Sequence, residues 1–382
     1  MTKEKNNQPP TPASQSDFIV EPEEKMPNPT KLKKIKAGPD CFSRLFGLAG
    51  IIICVILIVA FLMGLKYSIL FLPVVEESNE VVVVIPEGID PGRIGELLEK
   101  AKVIKSAQAF VWTIKAKSRI DGQPVILKAG EMALNPAQPV WKVVNSLVHG
   151  NYKLYPFTVP EGRNIFEIAQ TIETQGLGSA TEFLKLCHDQ NFIRSLGFEG
   201  SSLEGYLFPE TYNFPKGIPL KTIIKTMTDT FLKVWQKYEI AAQSNVLTRH
   251  QLVTLASIVE KETGVPHERS LIAGLFINRL DRGMKLQTDP TVIYGLLPSF
   301  NGDLTRQNLA SPTPYNTYII NGLPPGPITN PGEAALAAAI RPDIIHPYLY
   351  FVAKNDGTHY FSRTLTEHNR MVNQYQRNRR SR

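Results

Sequence analysis

Between Arg44 and Lys66 the chain carries no charged residue, and the run from Leu45 to Leu65 is almost wholly apolar. Its 21 residues extend roughly 30 Å as a helix, the thickness of a bilayer's hydrocarbon core. A cleaved leader would have a shorter apolar core, a shorter polar region before it and a small-x-small site after it. None of these fits, so one uncleaved membrane span is expected over 45–65. Tyr67 and Phe71 follow it, where aromatic side chains favour the interface. Lys31, Lys33, Lys34 and Lys36 precede the run, whereas Glu76, Glu77 and Glu80 follow it. The positive side stays inside, which places the N-terminus in the cytoplasm and about 310 residues outside.

Residues 1–40 are rich in Pro, Lys, Asn and Glu and have no apolar period, the composition of a disordered tail. The net charge of +7 is partly local, because Arg377, Arg379, Arg380 and Arg382 crowd the C-terminus. A terminal run of this kind reads as a solvated tail over 371–382, and no nucleic-acid partner is expected. Of Cys41, Cys54 and Cys187 only the last lies in the exported part. No intrachain disulfide or four-thiolate zinc site can be built from it.

The exported part contains an internal repeat. Val83-Val84-Ile85-Pro86-Glu87-Gly88 is echoed by Phe157-Thr158-Val159-Pro160-Glu161-Gly162. Each copy runs into apolar residues at helical spacing: Ile94, Leu97, Leu98 and Val103, then Ile165, Ile168, Ala169 and Ile172. Each copy therefore reads as a small β-turn-α unit, either a glycan platform or a packing scaffold. From about Ser201, loops rich in Gly, Pro, Tyr and Asn separate helical patterns at 219–240, 249–262, 268–280 and 332–340. Such loops tend to surround a site. Tyr348–Ala353 and His359–Ser362 flank an Asp356-Gly357 turn signal, a hairpin candidate. The expected class is α+β: one N-terminal transmembrane helix, a βα module over 80–155, and a mixed α/β domain over 156–370.

No Gly-x-Ser-x-Gly elbow is present, and the seven histidines form no His-x-x-x-His pair. Serine triads, catalytic metals and phosphate-cradling loops are therefore disfavoured, and no cofactor is expected. Carboxylates remain. In Arg249–Glu262 an apolar helical face formed by Leu252, Leu255, Ala256 and Val259 ends in charge. Glu260 and Glu262 fall on opposite edges of that face, where partial desolvation would raise a carboxyl toward use as a general acid. Periodicity does not choose between them. Leu203–Tyr212 alternates aromatic and acidic residues, including Glu204 and Tyr206. Leu286–Gly295 offers Gln287, Thr288 and Asp289, and Pro314–Tyr318 offers Tyr315 and Asn316. Neutral hydrogen-bonding groups beside aromatic rings suit sugars.

The blocks Leu203–Tyr212, Ala256-Ser-Ile-Val-Glu-Lys-Glu-Thr263, Phe276–Leu280, Leu286–Tyr294, Tyr315–Tyr318 and Gly322-Leu-Pro-Pro-Gly326 together resemble the YceG-like family of endolytic murein transglycosylases. The likeness extends through Tyr350–Ala353 and, more loosely, back to about residue 80. It implies a bacterial enzyme held in the inner membrane, with its catalytic domain outside the cytoplasm. The implied activity cuts peptidoglycan glycan strands internally, between N-acetylmuramic acid and N-acetylglucosamine, in association with peptidoglycan synthases (penicillin-binding proteins). It also implies that the 80–155 segment is LysM-like and that the catalytic glutamate is Glu260.

On that reading one carboxyl suffices. Glu260 would protonate the bridging oxygen and then accept a proton from the muramic acid C6 hydroxyl, which closes a 1,6-anhydro ring. Glu204, Tyr206, Gln287, Thr288, Asp289, Tyr315 and Asn316 would hold the sugars, with Glu204 the reserve acid and Glu262 orienting its neighbour. The alternatives are a non-catalytic cell-wall binding factor and a muramidase that uses water with a carboxylate pair.

Overall fold

The computed structural model describes residues 41–76 and 79–377. The tail over 1–40 with its lysine cluster, and Arg379, Arg380 and Arg382, lie outside the described residues. The chain divides into a unit ending at Lys66 and a second beginning at Tyr67. The first is dominated by α1 (Cys41–Ser68). The stretch long and apolar enough to cross a membrane is Ala49–Phe71. It is shifted toward the C-terminus of the expected run because Ile69, Leu70 and Phe71 prolong the apolar character past Lys66.

In the second unit the repeat is larger than two β-turn-α units. β1 (Val81–Ile85) is followed by α2 (Pro91–Lys100) and α3 (Ala107–Asp121), and only then by its partner, β2 (Gly130–Leu134). The pair is antiparallel, from Val81 opposite Leu134 to Ile85 opposite Gly130. α4 (Val140–His149) closes a small core that includes Ile85, Leu98, Phe110, Met132, Val144 and Leu147. The second copy follows the same plan. β3 (Tyr155–Thr158) precedes α5 (Ile165–Thr174), α6 (Ala180–His188) and α7 (Gln190–Ser195), then pairs antiparallel with β4 (Thr211–Phe214). The sequence signal captured each first strand and helix but not the returning strands, which are of the same length as their partners.

α8 (Leu220–Gln236), α9 (Glu239–Gln243), α10 (Arg249–Glu262), α11 (Arg269–Asp281), α12 (Asp289–Gly295), α13 (Arg306–Leu309) and α14 (Glu333–Ile340) complete the larger part. Its core runs from Phe157 to Ile340. α10 starts at a capping box, in which the Thr248 hydroxyl and the Gln251 side chain each accept from the other's backbone N–H. Every residue from Leu252 to Val259 is buried. The helix is therefore central, not amphipathic as the apolar face implied, because α11 and α14 both pack on it. Its two buried hydroxyls are satisfied: Thr254 donates to the His250 carbonyl, and Ser257 donates to Thr254 and accepts the Ile328 N–H.

β5 (Tyr350–Ala353) and β6 (His359–Ser362) form the expected hairpin, with Tyr350 opposite Ser362. α15 (Leu365–Val372) follows. Residues 371–377 are part of this fold and not a free tail, since Met371 is buried and Asn355 donates to the Tyr375 carbonyl.

Candidate active site

A groove of about 550 Å³ opens where α10 ends, with Glu262 on its wall beside Gln287, Thr288 and Asp289. Tyr318, Arg279, Tyr350, His359 and His368 also line it. Three predicted sugar-holding residues and one predicted carboxyl thus meet in a single concavity.

The 287–289 wall is held by hydroxyls. The Thr288 hydroxyl donates to Glu262 Oε1. The Thr288 N–H donates to Thr317 Oγ1 (3.0 Å), and the Thr291 hydroxyl donates to the Thr288 carbonyl (2.7 Å). Gln287 sits at φ 51°, in the left-handed region, with its N–H donated to the Thr317 carbonyl. A non-glycine residue held there costs energy that only its surroundings can supply, and such positions gather at ligand sites. The Tyr318 hydroxyl donates to Asp289 Oδ1 at 2.7 Å.

Burial raises the Glu262 carboxyl above its ordinary value; the Thr288 hydrogen bond opposes the shift and the Asp289 charge adds to it. Positive charge at His359 and Arg279 acts in the opposing direction. The carboxyl is thus disposed to hold a proton while one oxygen is fixed by Thr288.

Two further lining residues, His359 and Arg279, are held by buried hydrogen bonds. Glu268, buried, accepts the His359 N–H at 2.8 Å through one oxygen and meets its Nδ1 at 2.7 Å through the other. Arg279, also buried, donates from Nε to the Leu349 carbonyl and from Nη1 to the carbonyls of Lys285 and Leu286. One side chain therefore fixes the edge of the hairpin and the approach to Gln287. Sequence reasoning did not single out Arg279, Tyr318 or His359. An arginine within the helix 269–281, inside the Phe276–Leu280 block, is a signal for the first.

Glu260 lies elsewhere. Its Oε2 accepts the N–H of Gly332, the N-cap of α14, at 3.0 Å, and its Oε1 is 3.7 Å from Arg269 Nη2. Burial raises this carboxyl too, with Glu161 adding to the shift and the Gly332 N–H opposing it. A Cβ at Gly332 would come within 1.8 Å of Glu161 Oε1, so any larger residue there would displace the Glu161 side chain. Glu260, Arg269 and Gly332 are not among the residues lining the groove. Glu262 makes no hydrogen bond to Glu260 among the described residues; its carboxyl is held by Thr288.

Three other candidates lie in the interior, not on a cleft wall. Glu204 has no exposed surface; it accepts the Ile165 N–H and an Asn330 amide N–H. Desolvation pushes its carboxyl up to about 8. Tyr206 is buried between Phe198 and Phe231 and hydrogen-bonds His250 Nδ1 at 2.9 Å. Asn316 is buried and clamps its own loop, donating to the carbonyls of Leu309 and Ser311. Tyr315 is half-buried with its ring 4.8 Å from that of Tyr294. Packing consumed these side chains, an outcome that motif composition could not show.

Residues 83–374 match the YceG-like family. The endolytic murein transglycosylase of Bacillus subtilis (strain 168) is 34% identical over 320 residues, covering 79% of this chain and 87% of that protein. The endolytic murein transglycosylase of Streptococcus pneumoniae serotype 2 (strain D39 / NCTC 7466) is 33% identical over 333 residues, and the match spans 79% of this chain but only 59% of that longer protein. The crystal structure of a yceG-like protein, lmo1499, from Listeria monocytogenes superposes with a TM-score of 0.53 at 34% identity, covering 77% of this chain and all of that one.

Proposed function

The chain belongs to the YceG-like family, and from that premise we propose that it is an endolytic murein transglycosylase whose proton donor is Glu262. The observation that carries the reading is the groove, where a desolvated glutamate adjoins Gln287, Thr288 and Asp289. Glu260, the residue expected from the family likeness, is engaged instead in capping α14 and facing Arg269. Glu204 is sealed in the core.

In this reaction the protonated Glu262 donates to the oxygen bridging N-acetylmuramic acid and N-acetylglucosamine as the C1–O bond breaks. The positive charge at C1 develops beside Asp289, an exposed carboxylate oriented by Tyr318. The Glu262 carboxylate then takes the proton of the muramic acid C6 hydroxyl, whose oxygen closes on C1. Proton count is restored, and the product carries a 1,6-anhydro end. An internal hydroxyl already near C1 replaces water at little entropic cost.

The β-α-α-β order over 81–134 supports a LysM-like glycan-holding module. The apolar helix over 49–71 supports a single-pass anchor in the bacterial inner membrane, with the catalytic part outside the cytoplasm. An enzyme tethered there meets strands as they are made, so peptidoglycan synthases (penicillin-binding proteins) are the protein partners this reading implies.

Mass spectrometry of glycan strands digested by the full chain tests the proposal. Anhydro-muramic ends are expected within the strands. Reducing ends would mark a muramidase that uses Glu262 with Asp289, and intact but bound strands would mark a non-catalytic binding factor.

A further inference from the structure

We propose that the outward face of α3 is a bilayer-docking surface that seats the N-terminal module on the membrane in which the chain's own apolar helix is inserted. This rests on the membrane anchorage proposed above. The apolar stretch ends at Phe71, and the indole of Trp112 packs on both aromatic rings at that end. Its centroid is 6.2 Å from that of Tyr67 and 6.5 Å from that of Phe71. The segment beyond is tied down as well, since the Val74 N–H donates to the Pro136 carbonyl at 3.0 Å. The last aromatic residues of the apolar stretch are therefore packed on the module itself, with Trp112 as their contact.

The side chains around Trp112 suit that level. Trp112 is 41% exposed and Ile120 is 83% exposed. Lys115, Ala116 and Arg119 are exposed at the spacings that place them on the same side of the helix. Ile126, in the loop that follows, is 78% exposed. The single acidic residue of the helix, Asp121, is paired with Lys117 at 2.9 Å, so it does not oppose an anionic surface. Large apolar groups that remain in water on a folded module need a cover. An indole flanked by basic residues is the composition that binds at the headgroup boundary, where tryptophan and tyrosine collect and anionic lipid attracts lysine and arginine. Docking there would keep the module at the headgroup boundary.

The test uses the full chain reconstituted in vesicles of phosphatidylglycerol and phosphatidylcholine, with and without bromine on the acyl chains. The emission of Trp112 is taken as the difference between the wild-type chain and Trp112→Phe, which retains Trp141 and Trp235. The chain is expected to float with the vesicles, and the Trp112 difference spectrum to be blue-shifted and to lose most of its intensity on bromination. Flotation with a Trp112 emission unaffected by bromine would overturn the docking surface while leaving the anchor intact. Failure to float would overturn the anchor and the docking surface with it.

Discussion

Glu260 and Glu262 are separated by one residue, yet a helix turns them about 200° apart, toward a neighbouring helix N-terminus and toward the groove respectively. That divergence makes their variants separable. Glu262→Gln, nearly isosteric and still able to accept the Thr288 hydroxyl, is expected to abolish strand cleavage without altering thermal unfolding. The rate of the wild-type enzyme should fall as pH rises through the raised Glu262 value, because the donor loses its proton. Glu260→Ala is expected to keep cleavage measurable by product analysis but to lose about 2 kcal/mol in denaturant unfolding, since it removes a charged partner from the Gly332 N–H. Glu204 gives a different pH signature. Its carboxyl keeps its proton up to about 8 in the fold, whereas the unfolded chain releases it near the ordinary glutamate value of 4.5. The native state binds the extra proton between these limits, so stability must fall as pH rises through that window. Glu204→Gln should flatten this slope in denaturant titrations. It should also lower stability at acid pH, because its amide turns an N–H toward the Ile165 or Asn330 donor.

At the scale of elements, the ends of helices and the turns between them arrange the groove. α10 delivers Glu262 at its last residue, α12 begins at Asp289, and β6 begins at His359. Gln287 is the strained joint of this arrangement. Gln287→Gly relieves the left-handed conformation and removes a sugar-facing amide. Its melting temperature should not drop, while the cleavage rate should; a lower melting temperature would show that the Gln287 side chain serves the fold instead. Periodicity made α10 legible, with its cap and apolar content, and the hairpin was legible from its turn. The segment 286–295 read as loop chemistry because Asp-Pro is a turn pair, yet proline at the second position of a helix starts α12. The strand β2 escaped notice because Gly130-Glu131-Met132-Ala133-Leu134 has little β-branching. Its pairing with β1, not its propensity, makes it a strand.

At the scale of the whole molecule, the second unit holds two apolar cores. One is drawn from residues 83–147 and the other from residues 157–340, with no buried member in common. Between them Lys216 pairs with Glu131 at 2.9 Å, and the Tyr155 hydroxyl donates to the same carboxylate. A solvent-facing pair of this kind contributes little to stability. A fragment over 155–377 is therefore expected to fold by itself, with native near-ultraviolet circular dichroism and a cooperative melt. Loss of that cooperativity would show that the smaller core is needed to fold the larger.

The sequence by itself determined the apolar segment, the repeat, the carboxyl-ended helix and the chemical vocabulary of the groove, because hydrophobic run length, periodicity and residue type are local properties. Which glutamate faces the groove, which polar groups are sealed inside, and which face of α3 is left uncovered were decided only by tertiary structure. Each of these depends on what packs against a residue from elsewhere in the chain. Desolvation, hydrogen-bond partners and neighbouring charge are set by those distant contacts.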